Sequence, residues 1–197
     1  PLKVKYPQGA EKQLIKAIIK KEVPKGKLPI DVGCIVHNVG TVFAIYQAVQ
    51  KNIPLIERVV TVIGKITIHK NIKLRIGTPI SYIIEKLGID KEYIGKVIIG
   101  GPMMGKAVNN IDETITKGSS GILLMLTQNV CRTTSNNCIR CGKCINVCPM
   151  GLEPYLLAQL TDKLYWEQAE NNNIMNCMEC GCCAYVCPSN RYLVDYI

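Results

Sequence analysis

Two cysteine runs in this sequence share one spacing. Cys138-x-x-Cys141-x-x-Cys144-x-x-x-Cys148-Pro149 is followed by Cys177-x-x-Cys180-x-x-Cys183-x-x-x-Cys187-Pro188. Ten of the eleven cysteines fall between Cys131 and Cys187. Two-residue gaps fold the backbone into a turn that aims three thiolates at three corners of one iron-sulfur cube. The fourth cysteine, three residues later and ahead of a proline, reaches the other cube. The spacing therefore predicts two [4Fe-4S] clusters with crossed ligand sets. Cluster one takes Cys138, Cys141, Cys144 and Cys187, and cluster two takes Cys177, Cys180, Cys183 and Cys148. Gly142 and Gly181 let the backbone approach the cubes, and Pro149 and Pro188 turn the chain away.

Zinc and disulfides are the competing uses of so many thiols. Zinc takes four ligands, usually from paired C-x2-C knuckles, and leaves the third and fourth cysteines of each run redundant. Disulfides need an oxidising compartment, for which the sequence gives no sign. Three cysteines stand outside the runs. Cys182 breaks the two-residue register and reads as a packed thiol beside a cluster. Cys131 reads as a bystander, and Cys34 as a core residue on an apolar strand. His37 and His69 lie in strand-like stretches without ligand companions.

The rest of the 197 residues must position these thiols. A hydrophobic share of 48% with 20% charged residues describes a globular chain. No apolar run approaches the roughly 18 residues of a membrane span, and no signal-peptide pattern opens the chain. The formal net charge is +9, from 24 basic against 15 acidic residues. The basic residues are scattered and aromatics are sparse, so the stacking platforms of a nucleic-acid binder are missing. Two oxidised cubes with their thiolates, each about −2, would bring the total to about +5.

Leu14, Ile15, Ile18 and Ile19 form one stripe of a helix within Tyr6 to Lys21. Asp31 to Val36 reads as a strand. Thr41 to Lys51 reads as a helix with Val42, Ile45, Tyr46 and Val49 facing inward. From Arg58 the period becomes two: Val60 and Val62, then Ile66 and Ile68, then Ile72, Leu74 and Ile76 alternate with polar residues. Thr78 reads as the N-cap of a helix with Ile80, Ile83, Ile84 and Leu87 inside and Gly88 at its end. Lys96 to Ile99 and Ile122 to Thr127 are further strands, separated by the irregular loop Gly100-Gly101-Pro102-Met103-Met104-Gly105. Strands around one helix suggest a β-grasp module. Between the cysteine runs, Leu152 to Asn171 reads as two helices broken near Thr161 to Tyr165. Leu156, Leu157 and Leu160 face the core there, with Trp166 as a lid.

Several motifs in order resemble the C subunit of the Rnf electron-transport complex. They are Tyr6-Pro7-Gln8-Gly9-Ala10-Glu11-Lys12, Pro54-Leu55-Ile56-Glu57-Arg58-Val59-Val60-Thr61, Gly100-Gly101-Pro102-Met103-Met104-Gly105 and the double cysteine run. The likeness runs from about Tyr6 to the last residue, and the chain starts at Pro1 rather than Met. It is therefore expected to be the C-terminal half of such a protein. The resemblance implies an α+β chain: the end of an α/β flavin-type domain plus a β-grasp module, then a mainly α-helical bacterial-ferredoxin-like domain. The expected divisions are 1–57 for the flavin and NADH-type part and 58–105 for the soluble-ligand-binding β-grasp module. A returning strand and linker then occupy 106–130, and the two-cluster domain 131–197.

The family relation also implies a function. The protein would be an electron relay in an ion-translocating NADH:ferredoxin oxidoreductase, peripheral on the cytoplasmic side of the cell membrane. Its partners would be the other subunits of that membrane complex, with no nucleic acid and no membrane span of its own. FMN belongs to the full-length protein. Tyr6, Gly9 and Glu11, with Asn38 of Asn38-Val39-Gly40-Thr41, align with segments that line the flavin pocket in a respiratory complex I relative. Ala10 and His37 replace a Glu and an Asn of that pattern. The glycine-rich phosphate loop is absent, so this fragment is expected not to retain FMN, and NADH would bind through the missing N-terminal half. The fragment alone is then a relay without a substrate site. Two other functions share part of the pattern: the iron-sulfur subunit of a soluble flavin dehydrogenase, and a zinc-stabilised module with no redox role.

Overall fold

The computed structural model describes residues 1–64, 69–130 and 133–197. The alternation read over Lys65 to Ile68, and Cys131, lie outside these residues. The chain packs as two units, 37–132 and 1–36 together with 133–197. Helices and one mixed sheet make it an α+β protein. Among the described residues no helix is long and apolar enough to cross a membrane.

Residues 37–132 begin with helix α2 (Val39–Lys51), which follows α1 (Glu11–Ile19) of the other unit. Five strands then form one sheet: β1 (Glu57–Gly64), β2 (Lys70–Arg75), β3 (Ile94–Ile99), β4 (Lys106–Ala107) and β5 (Gly121–Leu126). Their order is β2-β1-β5-β3-β4. β1 and β2 pair antiparallel, while β5 inserts parallel to β1 and antiparallel to β3. The sheet thus takes its central strand from the 106–130 stretch. Helix α3 (Ile80–Lys86) lies between β2 and β3 in sequence and gives the β-grasp arrangement.

The period-two pattern explains the core. Val60, Val62, Val97, Ile122 and Leu124 from the strands meet Ile80, Ile83 and Ile84 of α3, with Ile115 beside them. Each such side chain, fully buried, contributes about 1.5–3 kcal/mol. Thr61, Lys73 and Arg75 alternate outward.

Several local expectations are corrected. Asp31 to Val36 is not a strand: Pro29–Val32 forms a 3-10 turn that Gly33 ends at φ 75°. Pro29 fixes a turn-compatible φ, and the left-handed glycine prevents extension. Cys34 follows that turn half-buried, not on a strand. Pro79, not Thr78, occupies the N-cap position of α3 without a side-chain cap, and the Thr78 hydroxyl donates back to the Arg75 carbonyl at 2.8 Å. The apolar side chains of α2, including Val42, Ile45, Tyr46 and Val49, are exposed, as are Ile18 and Ile19 of α1. Periodicity identifies an apolar stripe but not what covers it. His37 and His69 stand outside any strand, and the His69 ring lies 2.8 Å from the Gly64 carbonyl oxygen.

The Gly100–Gly105 loop joins β3 to β4 by a close backbone approach. The Gly105 amide donates to the Gly101 carbonyl at 2.8 Å. A Cβ on Gly105 would sit 2.4 Å from that oxygen and 2.5 Å from Ile98 Cγ2, whereas one on Gly101 would meet nothing within 4 Å. We therefore expect Gly105→Ala to destabilise the unit by about 1–3 kcal/mol in urea unfolding. Gly101→Ala should stay within about 0.5 kcal/mol of the parent. Equal effects would show that the loop does not depend on this approach.

Candidate iron-sulfur site

The cysteine-rich unit is built from one pattern used twice. The first run leads into α4 (Lys143–Asn146) and then α5 (Pro154–Asp162). After α6 (Trp166–Asn171), the second run leads into α7 (Cys182–Tyr185) and α8 (Leu193–Tyr196). Matching positions take matching backbone conformations. Arg140 and Glu179 are left-handed at φ 55° and 51°, and Gly142 and Gly181 at 72° and 77°. These paired reversals turn three cysteines of each run to one side. A non-glycine residue at positive φ is uncommon, so Arg140 and Glu179 mark where the turn is imposed on the sequence.

The turns also aim backbone donors at sulfur. The amide of Arg140 lies 3.4 Å from Cys138 Sγ, and that of Glu179 lies 3.4 Å from Cys177 Sγ. The Leu152 amide reaches Cys148 Sγ at 3.4 Å. Such donors favour thiolate over thiol and tune a cluster bound there.

Cys138, Cys141, Cys144 and Cys187 line one cavity of about 160 Å³. Cys148, Cys177, Cys180 and Cys183 line another of about 20 Å³, together with Cys182. Each wall thus combines three thiols of one run with the fourth of the other. Among the described residues no three His, Cys, Asp or Glu side chains stand close enough for a single metal ion.

Burial sets the electrostatics. It raises the Cys144 thiol, and it raises Cys177 with help from the neighbouring Cys148 and Cys180 thiols and Glu179. Burial pushes Cys183 up to about 12. It pushes Cys182 up to about 11, with the adjacent Cys180 thiol adding to the shift. Four thiolates in such a place require a cationic core, so the donor set fits an iron-sulfur cluster. Binding must displace these protons, and loading weakens as pH falls.

The surroundings are small. Cys144 and Cys183 pack with Ala158 and Leu193 in a core that is half ligand cysteine. Leu157 and Leu160 of α5 are buried, while Leu156 is half-buried. Trp166 is 60% exposed and is not a lid. Leu164 turns left-handed at φ 60° just before α6, and the buried face of that helix is Ala169.

Two residues that cysteine spacing could not indicate reach this unit from the N-terminal segment. The Tyr6 hydroxyl donates to the Cys180 carbonyl at 2.6 Å, across 174 positions of sequence. Burial, with the Cys180 and Cys182 thiols nearby, raises its pKa and keeps it a donor. The Gln13 side-chain amide donates to the Pro149 carbonyl at 3.1 Å and reaches Met150 Sδ at 3.0 Å.

The flavin candidates fall in both units. Tyr6, Gly9 and Glu11 belong to the cysteine-rich unit and Asn38 to the other. The Asn38 side chain accepts from the Gly40 amide at 2.9 Å as the N-cap of α2.

Residues 131–188 match the 4Fe-4S dicluster domain, and residues 1–47 match the Nuo51 FMN-binding domain. The chain is 52% identical over 198 residues to the C subunit of the proton-translocating ferredoxin:NAD(+) oxidoreductase complex of Clostridium ljungdahlii, covering 100% of this chain and 43% of that protein. It belongs to the family of Rnf-complex C subunits. The sodium-translocating counterpart from Acetobacterium woodii is 45% identical over 175 residues, covering 88% of this chain and 40% of that protein. The C subunit of an ion-translocating oxidoreductase complex of Buchnera aphidicola is 39% identical over 175 residues, covering 88% and 36%. The chain therefore spans less than half the length of these curated Rnf relatives.

The contrast between the two cores gives a prediction. Among the described residues, the sheet of 37–132 packs nine buried apolar residues, whereas two of the four buried residues around Cys144 and Cys183 are those cysteines themselves. Removing iron with a chelator should abolish hydrogen-exchange protection in α5 and leave β1 and β5 protected. Unchanged protection in α5 would show that this unit is held without its clusters.

Proposed function

We propose that this chain is the one-electron relay portion of an Rnf-type C subunit. One [4Fe-4S] cluster is held by Cys138, Cys141, Cys144 and Cys187, the other by Cys148, Cys177, Cys180 and Cys183. The observation that carries this reading is the pair of thiol-lined cavities, each drawing its fourth thiol from the other run. When bound, the clusters supply one-electron redox chemistry. The chain ligates them, directs the Arg140, Glu179 and Leu152 amides at sulfur, and shields them with Leu152 and Leu193. No general acid, base or nucleophile is needed.

The whole protein would work in an ion-translocating NADH:ferredoxin oxidoreductase, in keeping with the names of its relatives. It would sit peripherally on the cytoplasmic side of the membrane, between a flavin and the other subunits of the complex. FMN and NADH would bind through sequence that the relatives have beyond this chain, with Tyr6, Gly9, Glu11 and Asn38 at the flavin's edge. In this reading residues 1–57 end the flavin-type domain and 58–105 begin the β-grasp module. Residues 106–130 return to the sheet, and 131–197 form the relay.

Iron and acid-labile sulfide on anaerobically prepared protein test the relay directly. About eight of each per chain are expected, with a broad visible band bleached by dithionite. Cys144→Ser and Cys187→Ser should each remove the same paramagnetic signal, and Cys148→Ser and Cys183→Ser the other. Zinc without sulfide would overturn the proposal, and a signal lost in an uncrossed pattern would overturn the ligand sets.

A further inference from the structure

The two thiol sets are built alike but held differently. Their turns match, down to amide-to-sulfur distances of 3.4 Å at Cys138 and Cys177. At the second set, however, the N-terminal segment grips both stretches of chain that supply its ligands. Tyr6 holds the carbonyl of Cys180, from the second run. Gln13 holds Pro149 and Met150, directly after Cys148 of the first run.

The first set is held instead by the C-terminal stretch, with the Asn136 amide on the Ser189 carbonyl at 2.9 Å and the Tyr192 hydroxyl on the Thr133 carbonyl at 2.7 Å, and it is more open. Cys141, the counterpart of Cys180, is exposed, and its neighbour Ile139 is 67% exposed. The cavity wall there carries Arg140, Lys143 and Arg191 and no carboxylate. At the positions matching Arg140 and Lys143, the second run has Glu179 and Cys182.

We propose that Tyr6 and Gln13 are positioning residues for the second cluster alone. They make it the inner cluster, adjoining the stretch that matches the FMN-binding domain, and leave the first as the outer cluster with a solvent-facing edge. This rests on the two-cluster reading above. A hydroxyl proton aimed at the Cys180 carbonyl places the positive end of a dipole beside the second cluster. It favours the reduced state, which carries the extra negative charge. Tyr6→Phe keeps the ring and removes that dipole, so the second cluster becomes harder to reduce and the first is unaffected. Gln13→Leu frees the turn after Cys148 and acts on the same cluster.

The test uses the full-length protein, with redox titrations followed by paramagnetic resonance and signals assigned through Cys144→Ser and Cys183→Ser. Tyr6→Phe should move only the second cluster's potential, to more negative values, by less than the ~59 mV of a tenfold change in a one-electron equilibrium. Loss of the second cluster alone in either variant also supports the proposal. In the unaltered protein, a soluble dysprosium chelate should enhance relaxation of the first cluster more than the second. Equal shifts at both clusters, no shift in a fully loaded Tyr6→Phe protein, loss of both clusters, or stronger relaxation at the second would overturn it. Absence of iron and sulfide from the unaltered protein would instead sink the underlying relay reading.

Discussion

The cysteine-rich unit depends on the cost of gathering thiolates in a buried place. Desolvation favours the neutral thiol at Cys144, Cys177 and Cys183, and mutual repulsion works in the same direction. Only a cationic core reverses that balance. The backbone prepares for it: left-handed residues at Arg140 and Glu179 turn the runs, and amides face Cys138, Cys148 and Cys177. The apolar packing around the ligands comes from Ala158 and Leu193, with Ile145, Tyr155 and Val194 half-buried beside them. Cluster ligation is therefore expected to contribute folding energy in this half of the protein.

The sheet unit follows a different rule. Its central strand β5 comes last in sequence and closes the sheet between β1 and β3, so its core is complete only when distant segments meet. Among the described residues, nine apolar side chains pack together there. The Gly-Gly-Pro-Met-Met-Gly loop belongs to this architecture, since Gly105 lets the backbone of the β3–β4 turn close on itself. Its irregular sequence is accounted for by packing.

Pseudo-symmetry in the relay is imposed by sequence spacing and broken by what surrounds it. The same turn is flanked by Arg140 and Lys143 in one run and by Glu179 and Cys182 in the other. One set faces a basic, open edge; the other lies under Tyr6 and Gln13. Identical ligation in unlike electrostatic settings is how one motif can yield two different potentials.

The sequence by itself determined the elements whose signal is local. Period two placed β1 and β2, the Ile80–Ile84 stripe placed α3, and cysteine spacing named the eight thiols that line the two cavities. These patterns are short-range because pleat, helical turn and ligand turn repeat within a few residues. Other features were decided by tertiary structure. Trp166 and the apolar stripe of α2 are exposed, because amphipathicity does not specify a neighbour. Asp31 to Val36 turns rather than extends, since Pro29 and Gly33 outweigh its apolar residues. The grip of Tyr6 on Cys180 and of Gln13 on Pro149 joins positions with no periodic relation, and only the folded chain brings them together.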